Sequence, residues 1–248
     1  EIRFQLETLK PGLLELGSVD DVFLTCGVIN EVDHTRAALA ALAKRSNQIN
    51  FAETVEPLRH IRKIPGKPNF DVVASFLGRR NYNRFEIEDT VAGVIRHQTR
   101  WEYTPQRERQ SNLDLSFRIH LSDQEAIIGV RLTSAPLHRR TYKTESRTGT
   151  LHPPLAFAMA MLSNLAENQK LLDPFCGVGT ILIEALTLEP RLCASGVDID
   201  SDSICKAISI AETANKDIQF IVGDAGQLPF AGGETDRIIS NPPWGRAV

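Results

Sequence analysis

Three short segments near the carboxy end of the chain carry residues that could bind a nucleoside and transfer a small group to it. They are DPFCGVGT at 173–180, GVDID at 196–200 and NPPWG at 241–245. The first contains paired glycines, the second places acidic residues at the end of an apolar run, and the third joins an amide to two prolines and an aromatic ring. Their order and spacing favour one combined site over three unrelated turns.

The glycine segment is suited to close approach of a ligand. Gly177 and Gly179 let the backbone come near a bound molecule, and a helix predicted to begin near Thr180 would present free N–H groups to an anion. The segment lacks both GxxxxGK[ST] and the third glycine of GxGxxG, which disfavours a phosphate cradle. The alternative is a tight strand-to-helix turn that binds nothing.

Acidic residues follow two of the predicted strands and could recognise a nucleoside. Asp198 lies about 20 residues beyond the glycine segment, where a carboxylate can accept both hydroxyls of a ribose. Asp224 follows the next strand and could accept from an adenine amino group. A lone aspartate at a strand end is more commonly a helix cap, and Asp200 is also placed for that role.

The tetrad at 241–244 could hold an aromatic amine. Two prolines stiffen the backbone and remove two donors, which leaves carbonyl oxygens free to accept. The amide oxygen of Asn241 and the carbonyl of Pro242 can take both amine protons and point the nitrogen lone pair at an electrophilic methyl group. Trp244 can stack on an extruded base. The three segments together indicate S-adenosylmethionine (SAM) as the cofactor. The alternative for the tetrad alone is a proline-stiffened loop with a core tryptophan.

Other chemistries fit the sequence less well. Methylation at cytosine C5 needs a thiolate beside the base, but the tetrad contains no cysteine and Cys176 lies in the glycine turn. The six histidines show no HxxxH spacing, so the sequence predicts no metal site. The four cysteines form no CxxC pair, which favours a reduced, cytoplasmic setting. The sequence shows no apolar run near 20 residues and no basic-then-apolar leader, so we expect neither secretion nor membrane insertion.

The segments at 173–180, 196–200 and 241–245 need strands and helices that bring them together. From residue 148 onwards apolar strands alternate with helices, which predicts a parallel, doubly wound, Rossmann-like sheet. The strands are expected near 170–172, 194–198, 218–222 and 237–240, and the helices at 179–187 and 202–214. Because such sheets usually have about six strands, we expect this one to be incomplete at its C-terminal side.

The first 147 residues have a different order of predicted elements, which is typical of an α+β fold. Strands are predicted at 2–6, 21–28, 70–77, 112–120 and 126–132, and helices at 35–45, 54–63 and 84–100. The whole chain of 248 residues has a net charge of −3, but residues 58–147 carry +7 between flanks of −4 and −6. A basic middle region favours a module that binds phosphates; an arginine-rich solvated surface is the alternative.

The motifs DPFCGVGT, GVDID, GDA and NPPWG, together with LHRRTY and GTLHPPLAFAM, resemble those of the THUMP-domain RNA guanine-N2 methyltransferases. These are SAM-dependent enzymes of tRNA, with relatives acting on ribosomal RNA. The resemblance implies three domains: a truncated ferredoxin-like part at 1–57, a THUMP RNA-binding domain at 58–147 and an incomplete Rossmann-like class I methyltransferase domain at 148–248. The THUMP assignment depends on FLGRRNYNRFE and GVRLTSAPLHRR.

The resemblance also implies roles for particular residues. The SAM-binding residues would be Asp173, Phe175, Gly177, Gly179, Thr180, Asp198, Ile199, Asp224 and Ala225. The acceptor guanine would be held by Asn241, Pro242 and Trp244. The basic residues expected to contact RNA are Arg79, Arg80, Arg84, Arg139, Arg140 and Lys143.

Several alternatives stay open at this point. The NPPW tetrad also occurs in adenine-N6 enzymes, so it does not separate guanine from adenine, and the THUMP resemblance favours structured RNA, tRNA above all. An rRNA methyltransferase, a DNA adenine methyltransferase and a module that binds RNA or SAM without turnover are the other candidates. A nucleotide-dependent oxidoreductase is disfavoured by the missing third glycine.

Overall fold

The computed structural model describes residues 2–105, 113–143 and 149–243. The chain divides into two compact units. The first unit contains Glu1–Glu15 and Asp21–Pro136, and the second contains Leu16–Asp20 and Leu137–Val248. Each unit has its own sheet and its own apolar core.

The first unit is built on a five-stranded mixed sheet. Its strands are β1 (Phe23–Ile29), β2 (Asn69–Phe76), β3 (Glu102–Tyr103), β4 (Leu115–Ser122) and β5 (Glu125–Arg131), in the order β1-β5-β4-β2-β3. The pairs β1–β5 and β5–β4 are antiparallel, whereas β4–β2 and β2–β3 are parallel. The helices are α1 (Ala37–Ser46), α2 (Phe51–Val55) and α3 (Arg84–Thr99), with 3-10 segments at Pro11–Glu15 and Glu56–His60. The parallel pairing requires a crossover, which α3 supplies between β2 and β3.

Alternating apolar residues decide which face of this sheet is buried. Phe70 on β2 and Phe117 on β4 point into the core, where their ring centres lie 5.7 Å apart in an edge-to-face contact. The ring of Phe51 on α2 makes a second edge-to-face contact with Phe117 at the same distance. On α3, Ile87, Val91 and Ile95 lie at helical spacing and are fully buried, and Val94 on the same face is partly buried.

Two elements predicted for the first 147 residues, a strand and a helix, differ from the structure. Residues 2–6 form no strand, and Ile2 and Phe4 are exposed, because an alternating pattern makes a strand only where a partner strand is present. The division expected at residue 57 is not a boundary between compact units. Phe23 of β1 pairs with Arg131 of β5, so one sheet draws on both expected domains. The expected helix at 54–63 is split into α2 and the 3-10 segment at Glu56–His60.

The second unit contains the predicted parallel sheet. Its strands are β6 (Lys170–Asp173), β7 (Cys193–Asp198), β8 (Ile218–Val222) and β9 (Arg237–Ile238), in the order β8-β7-β6-β9. All three pairings are parallel. Helix α5 (Thr180–Leu188) follows β6, and α6 (Ser201–Thr213) follows β7. Because every strand runs the same way, the loops after β6, β7, β8 and β9 meet at one edge of the sheet.

One helix of this unit was not expected from the sequence. Helix α4 (Pro153–Leu162) begins with two prolines, which are compatible with a first helical turn because its N–H groups have no intrahelical partner. Its residues are apolar on all sides, so no helical period marks it. Within the described segments, no helix combines the length and the apolar character needed to cross a bilayer.

Candidate functional site

A cavity of about 400 Å³ opens at the carboxyl edge of the parallel sheet of the second unit. It is lined by the loops that follow β6, β7, β8 and β9 and by residues 149–151. The expected site residues that line it are Asp173, Phe175, Gly177, Thr180, Asp198, Ile199, Asp224, Ala225, Asn241 and Pro242. Gly179 is not among the lining residues, and Trp244 lies outside the described residues. The structure therefore brings together residues that are up to 69 positions apart in the sequence.

The two glycines of the turn after β6 serve different purposes. Both have positive φ angles, +51° at Gly177 and +78° at Gly179. A Cβ on Gly179 would lie 2.9 Å from the ring of Phe220, so this glycine is required by packing beneath the turn. A Cβ on Gly177 would meet nothing within 4 Å, which leaves the backbone there open towards the cavity. Gly177 is thus the glycine that could touch a ligand.

Asp198 holds this turn and still faces the cavity. One carboxylate oxygen accepts from the N–H of Gly177 at 2.8 Å, and the other accepts from the N–H of Asp200 at 3.0 Å. Asp200 caps α6, because its side chain accepts from both the N–H and the hydroxyl of Ser203. The capping role that the sequence left open is therefore taken by Asp200. Asp198 remains half-buried at the cavity wall, where it can accept further hydrogen bonds.

Asp173, at the end of β6, is the most buried carboxyl group of the site, with 1% of its surface exposed. Burial raises its pKa to about 6, and the charge of Asp198 acts in the same direction. Two hydrogen bonds to one of its oxygens oppose this shift, from the hydroxyl of Ser240 at 2.6 Å and from the N–H of Phe175 at 3.1 Å. A carboxyl group with a pKa near neutrality changes charge easily when its surroundings change.

The Ser240 hydrogen bond also connects the segment that leads into the tetrad with Asp173 at the end of β6. Ser240 directly precedes Asn241, and the N–H of Ile239 donates to the carbonyl of Leu172 at 3.1 Å. The chain leading into the tetrad is therefore anchored alongside the end of β6. The sequence analysis did not identify Ser240, since no local pattern distinguishes it from other serines.

The loop after β8 contributes Asp224 and Ala225 to the cavity. One carboxylate oxygen of Asp224 accepts from the N–H of Gly226 at 2.8 Å, while the side chain stays exposed. The N–H of Gly223 donates to the carbonyl of Asp198 at 3.0 Å, which ties this loop to the end of β7. Asp224 and Asp198 are therefore held on neighbouring parts of the same rim.

Sequence reasoning missed part of the cavity wall. Gly149, Thr150 and Leu151 line it, although they precede the glycine turn by more than 20 residues. The only available signal was their membership of the segment GTLHPPLAFAM. Cys176 also lines the cavity, and burial raises the pKa of its thiol well above the usual range. This thiol stays protonated, as expected of a group that is not a nucleophile.

Arg140, one of the basic residues expected to contact RNA, has several partners inside the second unit. Its guanidinium donates to both carboxylate oxygens of Glu184, at 2.8 and 3.1 Å, and to the carbonyls of Leu137 and Gly17. Glu184 lies on α5 and is 1% exposed, and it also accepts from the hydroxyl of Tyr142. These bonds engage four of its five N–H groups, so the guanidinium is held largely by partners inside the second unit. Arg140 is a structural residue of the second unit.

Arg80 also has internal partners. Its guanidinium donates to the backbone carbonyls of Val32, Asp33 and Asp123 and to the hydroxyl of Tyr82, all within the first unit. Lys143 is half-buried and donates to the carbonyl of Leu151 at 3.3 Å, and burial lowers its pKa. Neither side chain is placed as a simple surface cation.

The other three basic residues are exposed. Arg79 and Arg84 lie in the first unit, where the guanidinium of Arg84 stacks 4.7 Å from the centre of the Phe85 ring. Arg139 lies in the second unit, next to Arg140 but pointing outwards. Exposed arginines can bind phosphates without losing an internal partner, so these three remain candidates.

Comparison with known proteins identifies the second unit. Residues 140–248 match the family UPF0020, described as RMKL-like, methyltransferase domain. The tRNA (guanine(6)-N2)-methyltransferase of Thermus thermophilus is 39% identical over 130 residues, which cover 52% of this chain and 38% of that protein. The U6 snRNA (guanine-N(2))-methyltransferase THUMPD2 of Mus musculus is 32% identical over 138 residues, covering 54% of this chain and 25% of that protein.

Solved structures extend the likeness over almost the whole chain. The crystal structure of TrmN from Thermus thermophilus superposes with a TM-score of 0.73 at 27% identity, covering 97% of this chain and 68% of that one. A putative methyltransferase, SMU.472, complexed with SAH gives a TM-score of 0.73 at 18% identity, covering 96% and 70%, and at that identity the likeness concerns the fold alone. The expected α/β, class I methyltransferase fold is confirmed.

The matched region spans well under half the length of the curated relatives. The segment that matches the UPF0020 family, residues 140–248, contains the glycine turn, the acidic strand ends and the tetrad. The resemblance to SAM-dependent guanine-N2 methyltransferases is confirmed by these matches, and residues 140–248 are similar to the RMKL-like methyltransferase domain.

Proposed function

We propose that the protein transfers a methyl group from SAM to the exocyclic N2 of a guanosine in tRNA. The second unit would carry out the transfer, and the first would hold the RNA. The observation that carries this proposal is that Asn241 and Pro242 line the same cavity as Gly177 and Asp198. Residues suited to hold an aromatic amine and residues suited to bind a nucleoside cofactor therefore line the same cavity.

The residues around the cavity fit SAM. Its volume lies in the range that small-molecule ligands occupy. The half-exposed carboxylate of Asp198 would accept the ribose hydroxyls, and Asp224 and Ala225, which line the same cavity, would face the adenine. The open backbone at Gly177 and the carboxyl group of Asp173 would face the methionine part. When bound, SAM supplies an electrophilic methyl group on a cationic sulfur.

The chain's own contribution to the reaction would be positioning. The amide oxygen of Asn241 and the carbonyl of Pro242 would each accept a hydrogen bond from one N–H of the amine, which turns the nitrogen lone pair towards the methyl group. Trp244 would add a stacking contact with the base of the acceptor guanosine. Fixing two reactants in line and excluding water can supply most of the rate enhancement, with no covalent intermediate.

RNA binding is assigned to the first unit and its borders. The proposal retains residues 58–147 as a THUMP domain that follows a ferredoxin-like part at 1–57. Its support is the net charge of +7 over 58–147 and the exposure of Arg79, Arg84 and Arg139. The relatives from Thermus thermophilus and mouse act on tRNA and U6 snRNA according to their names. We place this activity in the cytoplasm, where thiols such as the four free cysteines stay reduced.

The test is replacement of Asn241 by alanine in the complete enzyme. We expect methyl transfer to tRNA to fall by at least about 100-fold, because an amine that is not oriented reacts slowly. SAM affinity, measured by calorimetry, should change little, since the Asn241 amide is assigned to the acceptor and not to SAM. Asn30→Ala, an exposed position of the first unit, is the control. Normal turnover in Asn241→Ala would refute the assignment.

One alternative substrate has a specific observation in its favour. Ribosomal RNA large subunit methyltransferase K/L of Aliivibrio fischeri is 44% identical to this chain over 72 residues, covering 29% of the chain and 10% of that protein. Nucleoside mass spectrometry after reaction with tRNA, rRNA and duplex DNA separates these cases. N2-methylguanosine in tRNA alone supports the proposal, whereas N6-methyladenosine would point to the adenine enzymes that share the tetrad.

A further inference from the structure

A cluster of two imidazoles and one carboxylate lies within the second unit, apart from the residues that line the cavity. Asp20, His138 and His152 each offer one ligand atom, and these atoms all lie within 4.8 Å of one another. The three residues come from separate segments: the short stretch Leu16–Asp20, the start of the 137–143 segment and the residue that precedes α4. No spacing rule could have found this group, which is why the sequence predicted no metal site.

His138 is held in an orientation suited to metal binding. Its backbone N–H donates to the carbonyl oxygen of Asp20 at 3.0 Å, and its Nδ1 lies 3.2 Å from the same oxygen. Because a carbonyl oxygen can only accept, Nδ1 carries the proton and the lone pair of Nε2 is available. Histidines that bind metals commonly have their other ring nitrogen held in this way.

The other two side chains can close on an ion by rotation alone. His152 Nδ1 lies 3.4 Å from a carboxylate oxygen of Asp20, and the centres of the two imidazole rings are 5.5 Å apart. Ligands around a tetrahedral zinc ion at about 2.0–2.2 Å stand roughly 3.3 Å from one another. The Asp20 side chain is 72% exposed and that of His152 is 49% exposed, so both have room to change rotamer around an ion.

We propose that Asp20, His138 and His152 form a binding site for a divalent transition-metal ion, with Zn²⁺ as the best match. Two imidazole nitrogens and one carboxylate suit zinc and its neighbours, whereas Mg²⁺ and Ca²⁺ prefer oxygen ligands throughout. Three protein ligands leave one position for water.

The place of this site in the fold indicates what the ion would do. His152 directly follows Leu151, and residues 149–151 form one wall of the cavity. An ion on His152, His138 and Asp20 would hold that wall to the segments at 16–20 and 137–143. The ion would thereby stabilise the second unit against unfolding, since a ligand that binds only the folded state adds to its stability.

The test is zinc titration of the metal-free chain, followed by calorimetry with a competing chelator. We expect one zinc ion per chain, a higher melting temperature with zinc, and affinity at least about tenfold weaker in His138→Ala and in His152→Ala. His97→Ala, an exposed histidine of the first unit, should bind zinc as the unaltered chain does. Melting of the metal-free variants checks that each one folds.

A cobalt titration gives an independent readout. Co²⁺ at a site of nitrogen and oxygen ligands should show visible absorption without a thiolate charge-transfer band, and the Asp20→Asn change should weaken it. The proposal is overturned if the His138→Ala, His152→Ala double variant binds zinc as tightly as the unaltered chain. It is equally overturned if binding is lost only when the exposed Cys193 and Cys205 are replaced by serine.

Discussion

The hydroxyl of Ser240 donates to the buried carboxyl group of Asp173 at 2.6 Å, so replacing Ser240 with alanine should change when Asp173 ionises. The pKa of Asp173 is about 6, raised by burial and held from rising further partly by this bond. A hydrogen bond to a charged group contributes about 1.5–3 kcal/mol, and 1.36 kcal/mol corresponds to one pH unit. We therefore expect the Ser240→Ala change to move the pKa of Asp173 to roughly 7 or higher.

Two measurements check this expectation. The carboxyl carbon of Asp173, followed by NMR, should titrate at a higher pH in Ser240→Ala than in the unaltered chain. Because the raised pKa disfavours the ionised form in the folded state, the stability associated with protonated Asp173 is full at acid pH. It is lost as the pH rises through 6. The destabilisation caused by Ser240→Ala should therefore grow from about 1 kcal/mol at pH 5 to about 2–3 kcal/mol at pH 8.

The second unit offers a matched control for this substitution. The hydroxyl of Ser163 donates to the uncharged carbonyl of Met159 at 2.8 Å, so Ser163→Ala should cost a similar amount at both pH values. Ser240→Thr keeps a hydroxyl and should leave the titration of Asp173 near that of the unaltered chain. An identical titration of Asp173 with and without the Ser240 hydroxyl would refute the reasoning.

Further predictions concern the glycine turn and the basic residues. Gly179→Ala should lower the free energy of unfolding by about 3 kcal/mol, because the φ of Gly179 is +78° and a Cβ there would overlap the ring of Phe220. Gly177→Ala should lower it by only about 1 kcal/mol, since a Cβ at Gly177 would meet no neighbour. Urea unfolding measures both changes. Arg140→Ala should cost about 3–5 kcal/mol, since it removes the cationic partner of the buried Glu184 carboxylate, and an unchanged urea midpoint would contradict this. Arg139→Glu should leave stability unchanged but weaken RNA binding and lower the slope of log affinity against log salt by about 1.

Much of the candidate site could be predicted because its signals are local. Paired glycines at 177 and 179 report backbone conformation directly, and Asp198 and Asn241 follow strands whose apolar character is plain in the sequence. A parallel sheet then places all strand ends at one edge, so strand order alone is enough to gather them. The cavity accordingly contains most of the residues expected there.

Other features depended on partners that are distant along the chain. A sequence shows that Arg80, Arg139 and Arg140 are basic, but only the fold shows that two of them are engaged internally and one is exposed. The pairing of β1 with β5 likewise joins residues about 100 positions apart and so crosses the domain boundary expected near residue 57.

The local sequence thus decided which backbone segments turn, extend or coil around the cavity, because glycine, proline and apolar spacing act over a few residues. Tertiary structure alone decided the charge state of Asp173, the loss of Arg140 as a surface cation and the meeting of Asp20 with two histidines. Burial and pairing set the free energy of a charged or polar group, and both depend on which distant segments come to lie beside it.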